Sequence, residues 1–261
     1  MDEKKRSTLI TIAAVVAGYA ALRYGPNLIP QEIQFVDMDR PNGFRKFVAG
    51  ETSSGSFDPF VGMSNAGSDS VKEAKLRADA RVGENVCRAL YGELNLTPGQ
   101  VPVASFSDYY CPFCRVQTKR LADLIVSNGN EFSIAWHELP LLGEDSNLAA
   151  RAALAAKRQG AYVAFHERLM KTPFVASPEY LVRLSEDLEI DEEQLLIDID
   201  SAEVSQELED SAALSRVLAF VGTPALVIGR TLVQGQVSDG AIKSIIELER
   251  EEGWAEQCNY A

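Results

Sequence analysis

Two of the four cysteines lie three positions apart, in Cys111-Pro112-Phe113-Cys114. The thiolate is the reactive form of cysteine, and an ordinary thiol ionises only near pH 8.5. A reactive pair therefore needs a setting that favours negative charge on one sulfur. The sequence supplies one. Residues 101–106 alternate like a short strand, and from Cys111 a helical pattern runs to about 127, where Asn128-Gly129 stops it. The dithiol thus opens a helix, whose unpaired N–H groups and dipole favour an anion. Cys111, at the end, reads as the catalytic nucleophile; Cys114, one turn further in, reads as the catalytic resolving thiol. Pro112 suits a first turn because the N–H it lacks has no partner there. A single pair does not make a zinc site, and neither His137 nor His166 has the spacing of a local zinc motif. Both histidines read as structural. Redox chemistry is favoured over a metal pair or an incidental one, and needs no metal or organic cofactor.

The second signal is Gly222-Thr223-Pro224, opening a strand more than one hundred residues later. X–Pro bonds are the usual home of cis peptides. Strand, CPFC, helix, a helical stretch, then Phe-Val-Gly-Thr-Pro-Ala-Leu-Val-Ile-Gly resembles the DsbA-like branch of the thioredoxin superfamily over residues 101–252. The resemblance implies a cis Pro224 that faces the active-site disulfide with Thr223. It also implies that the Thr223 backbone pairs with an extended substrate segment, a strand addition that gives affinity without sequence demand. Thr223, Pro224, Pro112 and Phe113 are therefore the expected substrate-binding residues.

Other residues keep two readings. Asp108, three before Cys111, is a candidate pKa modulator and equally a turn or cap residue. Tyr109, Tyr110 and Phe113 ring the dithiol and suit an apolar substrate platform. Cys87 and Cys258 lie toward the two ends of the domain and are candidates for a structural disulfide, with two unpaired buried thiols as the alternative. Asp191, Asp198 and Asp200 lack the turn glycine and ligand spacing of a calcium loop.

The elements that must position the dithiol follow from pattern. A helix capped by Ser68 or Ser70 runs to about 91, and a second strand covers 131–139. Residues 146–170 are helical with a break near Gly160. Further helices start at Ser177-Pro178 and Asp191, and the last of the block ends near 220. Strands at 225–229 and 231–234 precede a final helix from Ser238-Asp239 to about 252. The expected class is α/β: a thioredoxin-like fold over 71–258 with a helical subdomain inserted at about 145–219. Residues 25–70, rich in Gly, Pro, Ser and Asp, read as a linker or stalk with local docking through Phe44, Phe57, Phe60 and Met63. Before them, Lys4, Lys5 and Arg6 precede an apolar run, so residues 1–24 read as a signal or membrane anchor. Anchoring in the inner membrane by residues 8–24 is favoured over secretion after cleavage, and either places the domain in the periplasm or another extracytoplasmic space.

The formal net charge of −13 disfavours nucleic acid as a partner. Thirteen of the acidic residues fall between Ser177 and Ser211 against one basic residue, Arg183, as in a solvated helical face or a partner-steering surface. The reading that emerges is an enzyme, a protein thiol–disulfide oxidoreductase. Its clients are exported proteins with cysteines, and a membrane redox partner resets it. The oxidase direction is favoured. The alternatives are a reductase or isomerase with few clients, and a non-catalytic client- or metal-binding module.

Overall fold

The computed structural model describes residues 34–47, 69–128 and 131–258. Its centre is a mixed six-stranded sheet in the order β1-β2-β6-β5-β3-β4. The strands are β1 Phe35–Asp37, β2 Arg45–Phe47, β3 Val101–Ser107, β4 Phe132–Glu138, β5 Ala225–Ile228 and β6 Thr231–Gln234. β3 runs parallel to β4, with Ser107 opposite Glu138, and antiparallel to β5, with Phe106 opposite Ala225. That register brings the end of β3, where the cysteines begin, alongside the start of β5, where Pro224 sits. All seven residues of β3 are buried. The alternation read from the sequence is overridden because this is an inner strand, covered on both faces.

The helices are α1 Asp69–Glu84, α2 Val86–Tyr91, α3 Pro112–Asn128, α4 Glu144–Arg158, α5 Tyr162–Lys171, α6 Pro178–Asp187, α7 Glu192–Ile199, α8 Ala202–Val217, α9 Asp239–Glu251 and α10 Trp254–Gln257. Between β4 and β5 the chain is the run α4–α8, which forms the helical insertion. Its boundaries are written in caps. Ser177 accepts from Tyr180 N with proline in the first turn, Asp191 accepts from Gln194 N, and Ser201 accepts from Val204 N. Gly160 separates α4 from α5 at φ +74°, where a glycine avoids strain. The single helix expected up to about 91 is two. Asn85 leaves the helical conformation and accepts from Arg88 N, capping α2.

The stretch expected as a linker departs most from the reading. Residues 34–47 carry β1 and β2, which extend the sheet beyond β6. The cause is a buried charge. Arg45 donates to Thr231 Oγ1 at 2.8 Å and pairs with Glu249 at 2.7 Å and Glu252 at 2.9 Å. Phe44 is buried beside it. Three-residue strands pinned by an arginine have no hydrophobic period to read. The apolar run 8–24 and residues Phe57, Phe60, Met63 and Ser68 lie outside the described residues. Among those described, no helix is long and apolar enough to cross a membrane.

The acidic run is partly neutralised by its own fold. Asp198 pairs with Arg158, Glu207 with Lys157, Asp187 with Arg168 and Asp210 with Arg81. The Asp210 pair and Arg216–Asp79 tie α1 along α8. At the far end of the sheet the structure joins Cys87 in α2 to Cys258 after α10, with Cα atoms 5.9 Å apart. That separation is in the usual range for a disulfide.

Candidate active site

The site is built where β3 hands over to α3. Asp108, Tyr109 and Tyr110 make the turn, and Cys111 N closes it on Asp108 O at 3.1 Å. Cys111 then stands just before α3 and Cys114 lies in its first turn, with Cys114 N donating to Cys111 O at 3.1 Å. Both thiols are free and buried. Across from them the Thr223–Pro224 bond is cis, as the resemblance implies. Cys111 Sγ donates to Thr223 O at 3.4 Å. The structure therefore brings Cys111, Cys114, Thr223 and Pro224 together from two distant segments.

The two sulfurs are held in opposite electrostatic conditions. The Cys111 thiol is lowered from its ordinary value to about 6. A hydrogen bond from Cys114 is the largest cause; it outweighs burial, which acts the other way. The backbone N–H groups of Cys114 and Phe113 and the Thr223 side chain add to it. Burial pushes the Cys114 thiol far up, and its bond to Cys111 and the Cys111 charge push it further. One sulfur is thus poised as a thiolate beside another held as a thiol.

The remaining predicted residues divide. Pro112 and Phe113 are exposed in the first turn of α3, and Gln236 Nε2 reaches Phe113 O at 3.1 Å. Asp108 is a turn residue. Its Oδ1 accepts from Tyr110 N at 2.7 Å, and its Oδ2 from Leu141 N and Leu142 N at 2.7 and 3.0 Å. The carboxylate is occupied in joining the loops after β3 and β4, and Asp108 acts on the site through its backbone N–H, which favours the Cys114 thiolate. Tyr109 is wholly buried and cannot be part of an exposed platform, whereas Tyr110 is half-buried and packs on Phe174, which stacks on Tyr180. Cys87 and Cys258 stand apart from the site, at the other end of β3.

A model of the DSBA-like thioredoxin domain matches residues 102–247. The chain belongs to this family. DSBA-like proteins of the thioredoxin fold are thiol–disulfide oxidoreductases. A thioredoxin-like oxidoreductase from Silicibacter pomeroyi is 35% identical, with a TM-score of 0.58 over 63% of this chain and 97% of that one. The catalytic domain of Proteus mirabilis ScsC is 25% identical, with a TM-score of 0.55 over 67% of this chain and 98% of that one. The sequence is also 28% identical over 152 residues to the Na(+)/H(+) antiporter NhaA 3 of Salinispora tropica, covering 56% of this chain and 22% of that protein. The chain spans under a quarter of the length of the curated relatives it matches.

This DSBA-like site contains groups that the sequence reading missed. Behind the turn, Tyr109 and Tyr162 both donate to Glu138 Oε1 at 2.6 Å, and His166 Nδ1 lies 2.8 Å from the Tyr109 hydroxyl. Glu138 is fully buried and the phenols beside it are raised well above their ordinary value, by burial first and then by the Glu138 charge. The network joins the turn to β4 and α5. The sequence carries one sign of it: Glu138 is a charge ending an apolar strand. Arg115 has no such sign. No group of three His, Cys, Asp or Glu side chains suited to a metal converges among the described residues.

Proposed function

We propose that this chain exchanges disulfides with exported proteins through Cys111 and Cys114, in the oxidase direction. The observation that carries the reading is the division between the sulfurs: Cys111 lowered to about 6 beside a Cys114 pushed far up. In the oxidised enzyme a client thiolate attacks Cys111 Sγ. The Cys111–Cys114 bond breaks, Cys114 leaves and takes up a proton, and a mixed disulfide remains. A second client thiolate attacks the client sulfur of that bond and releases Cys111 as a thiolate. Two client thiols become a disulfide, and the enzyme disulfide becomes a dithiol. A membrane redox partner takes the two electrons back. The lowered Cys111 makes it the better leaving group in the second step.

A protein client is supported by the rim. Phe113, Val116, Leu142 and Val221 are exposed apolar residues on the segments around the dithiol. The Thr223 backbone, beside cis Pro224, is the proposed partner for an extended client segment. An extracytoplasmic location is supported by the Cys87–Cys258 bond, since such bonds persist in oxidising compartments. Anchoring through residues 8–24 belongs to the same proposal.

The test is a trapping experiment. Cys114→Ser should accumulate mixed disulfides with cell-extract proteins on non-reducing gels, and Cys111→Ser should accumulate none. Equal trapping by both variants contradicts the assignment. A measured reduction potential well below about −200 mV would instead support a reductase with a narrow client set.

A further inference from the structure

Arg115 directly follows Cys114, yet its guanidinium points neither into solvent nor to an acid. Nη2 donates to Tyr109 O at 2.6 Å. Nη1 donates to Leu169 O at 2.9 Å and to Thr172 O at 2.7 Å. The guanidinium carbon lies 5.7 Å from the centroid of the Phe174 ring. One side chain is thereby bonded to the turn two residues before Cys111 and to the last carbonyls of α5. Those carbonyls carry the negative end of the helix dipole and suit a cation. Partial burial opposes the charge, while both active-site sulfurs favour it. An arginine does not relieve that opposition by losing its proton.

Tyr110 and Tyr180 pack on Phe174, the ring beneath the guanidinium. On the far side of Tyr109 stand Glu138 and His166, and the Asp108 carboxylate is bound by three amides. On α5, Glu167, Arg168 and Lys171 are exposed, with Arg168 paired to Asp187. Among the described residues, Arg115 is the cation hydrogen-bonded to the turn that carries the dithiol.

We propose that Arg115 is a positioning residue whose charge, fixed in place by the helical insertion, favours the thiolate of Cys111. This rests on the reading of Cys111 as the attacking sulfur. The insertion then does more than flank a client: its α5 backbone holds a positive charge against the turn that carries the dithiol. Reactivity becomes sensitive to how α5 docks against α3.

The test compares wild type, Arg115→Lys and Arg115→Gln in the full chain. The readout is the rate of Cys111 alkylation by iodoacetamide against pH, with thermal melting as a check on folding. Cys114 is fully buried, so the rate reports Cys111. The Gln variant should move the midpoint up by about half a pH unit, a roughly threefold loss of rate below the midpoint. The Lys variant keeps the charge and should move it by less than half as much. An unmoved midpoint in Gln, or equal movement in Lys and Gln, overturns the proposal. If Arg115→Gln does not fold, Arg115→Met takes its place in the same comparison. Alkylation needs no client, so absence of turnover in wild type, with the midpoints still separated, would remove the oxidoreductase reading alone.

Discussion

The bond between Cys87 and Cys258 closes a loop with a sequence separation of 171. In the chain-entropy description, opening a loop of that size frees the unfolded chain by about 5 kcal/mol at 25 °C, with measured values more often 2–4 kcal/mol. Cys87 and Cys258 are also buried, at 2% and 7% exposure, so replacing both by alanine removes packed sulfur and adds about 1 kcal/mol. For a domain of this size each kcal/mol moves the melting temperature by about 2–4 °C. The Cys87→Ala/Cys258→Ala double variant should therefore melt at least about 6 °C below wild type. Exchange activity should not follow. Trp254 Nε1 bonds Gln100 O at 3.2 Å, which puts the C-terminal turn at the start of β3. The dithiol follows its other end, seven residues along, about 20 Å away. Scanning calorimetry of the oxidised proteins, with turnover measured beside it, checks both halves. A melting temperature within about 2 °C of wild type would refute the loop argument. A large fall in turnover at constant stability would make the pair a second redox centre.

Three further outcomes are expected. Glu138→Ala leaves the Tyr109 and Tyr162 hydroxyls only the single Nδ1 of His166 to share and should cost about 2 kcal/mol or more in urea unfolding, against roughly 1 kcal/mol for Glu138→Gln, which still accepts both; equal costs would show that the hydrogen bonds are not what matters. Arg45→Met takes the 2.7 Å partner from buried Glu249, which keeps Arg230 and Thr231, and should cost about 2–3 kcal/mol, with hydrogen exchange fastest in β1 and β2; uniform protection there contradicts the pinning argument. Cys111 is lowered from 9.0 to about 6, so the reduced protein holds its full advantage above pH 9 and loses it as pH falls toward 6; its alkylation rate should level off near pH 7, and a rate still rising at pH 8 refutes the lowered value.

The parts of this molecule that were legible share one property: they repeat or punctuate locally. Ser177-Pro178, Asp191 and Ser238 announce helices because a cap acts on an amide three residues away. CPFC and Gly-Thr-Pro announce the site because each is a short motif with a backbone reason for its spacing. What escaped depends on partners distant in sequence. Arg45 meets Glu249 and Glu252 some two hundred residues on, and nothing near it says so. Asn85 lies inside an apparently continuous helical pattern, which hides a cap. Asp108 illustrates the limit of proximity in sequence. It stands three residues from Cys111, yet its carboxylate serves Leu141 and Leu142. Tyr109, read as an exposed platform beside its neighbour Tyr110, is instead turned inward by Glu138, which the register of β3 and β4 brings within reach.

The lowered Cys111 also fixes how the redox poise must vary with pH. At pH 7 a thiol that ionises at about 6 stabilises the reduced form by about 1.4 kcal/mol relative to an ordinary thiol, or about 30 mV for a two-electron couple. The sign favours oxidation of clients, because the enzyme's own reduced state is the one stabilised. Thioredoxin-fold enzymes span about 150 mV, so this supplies roughly a fifth of the range. Below pH 6 reduction takes up two protons with two electrons, and the potential should fall by about 59 mV per pH unit. Above it Cys111 stays ionised and only Cys114, pushed far up, takes a proton. The fall should then halve to about 30 mV per unit and hold that slope through pH 9. Equilibration against glutathione across that range measures it. A single slope of about 59 mV per unit up to pH 8 would mean that both sulfurs remain thiols, and would remove the division of labour between Cys111 and Cys114 on which the mechanism stands.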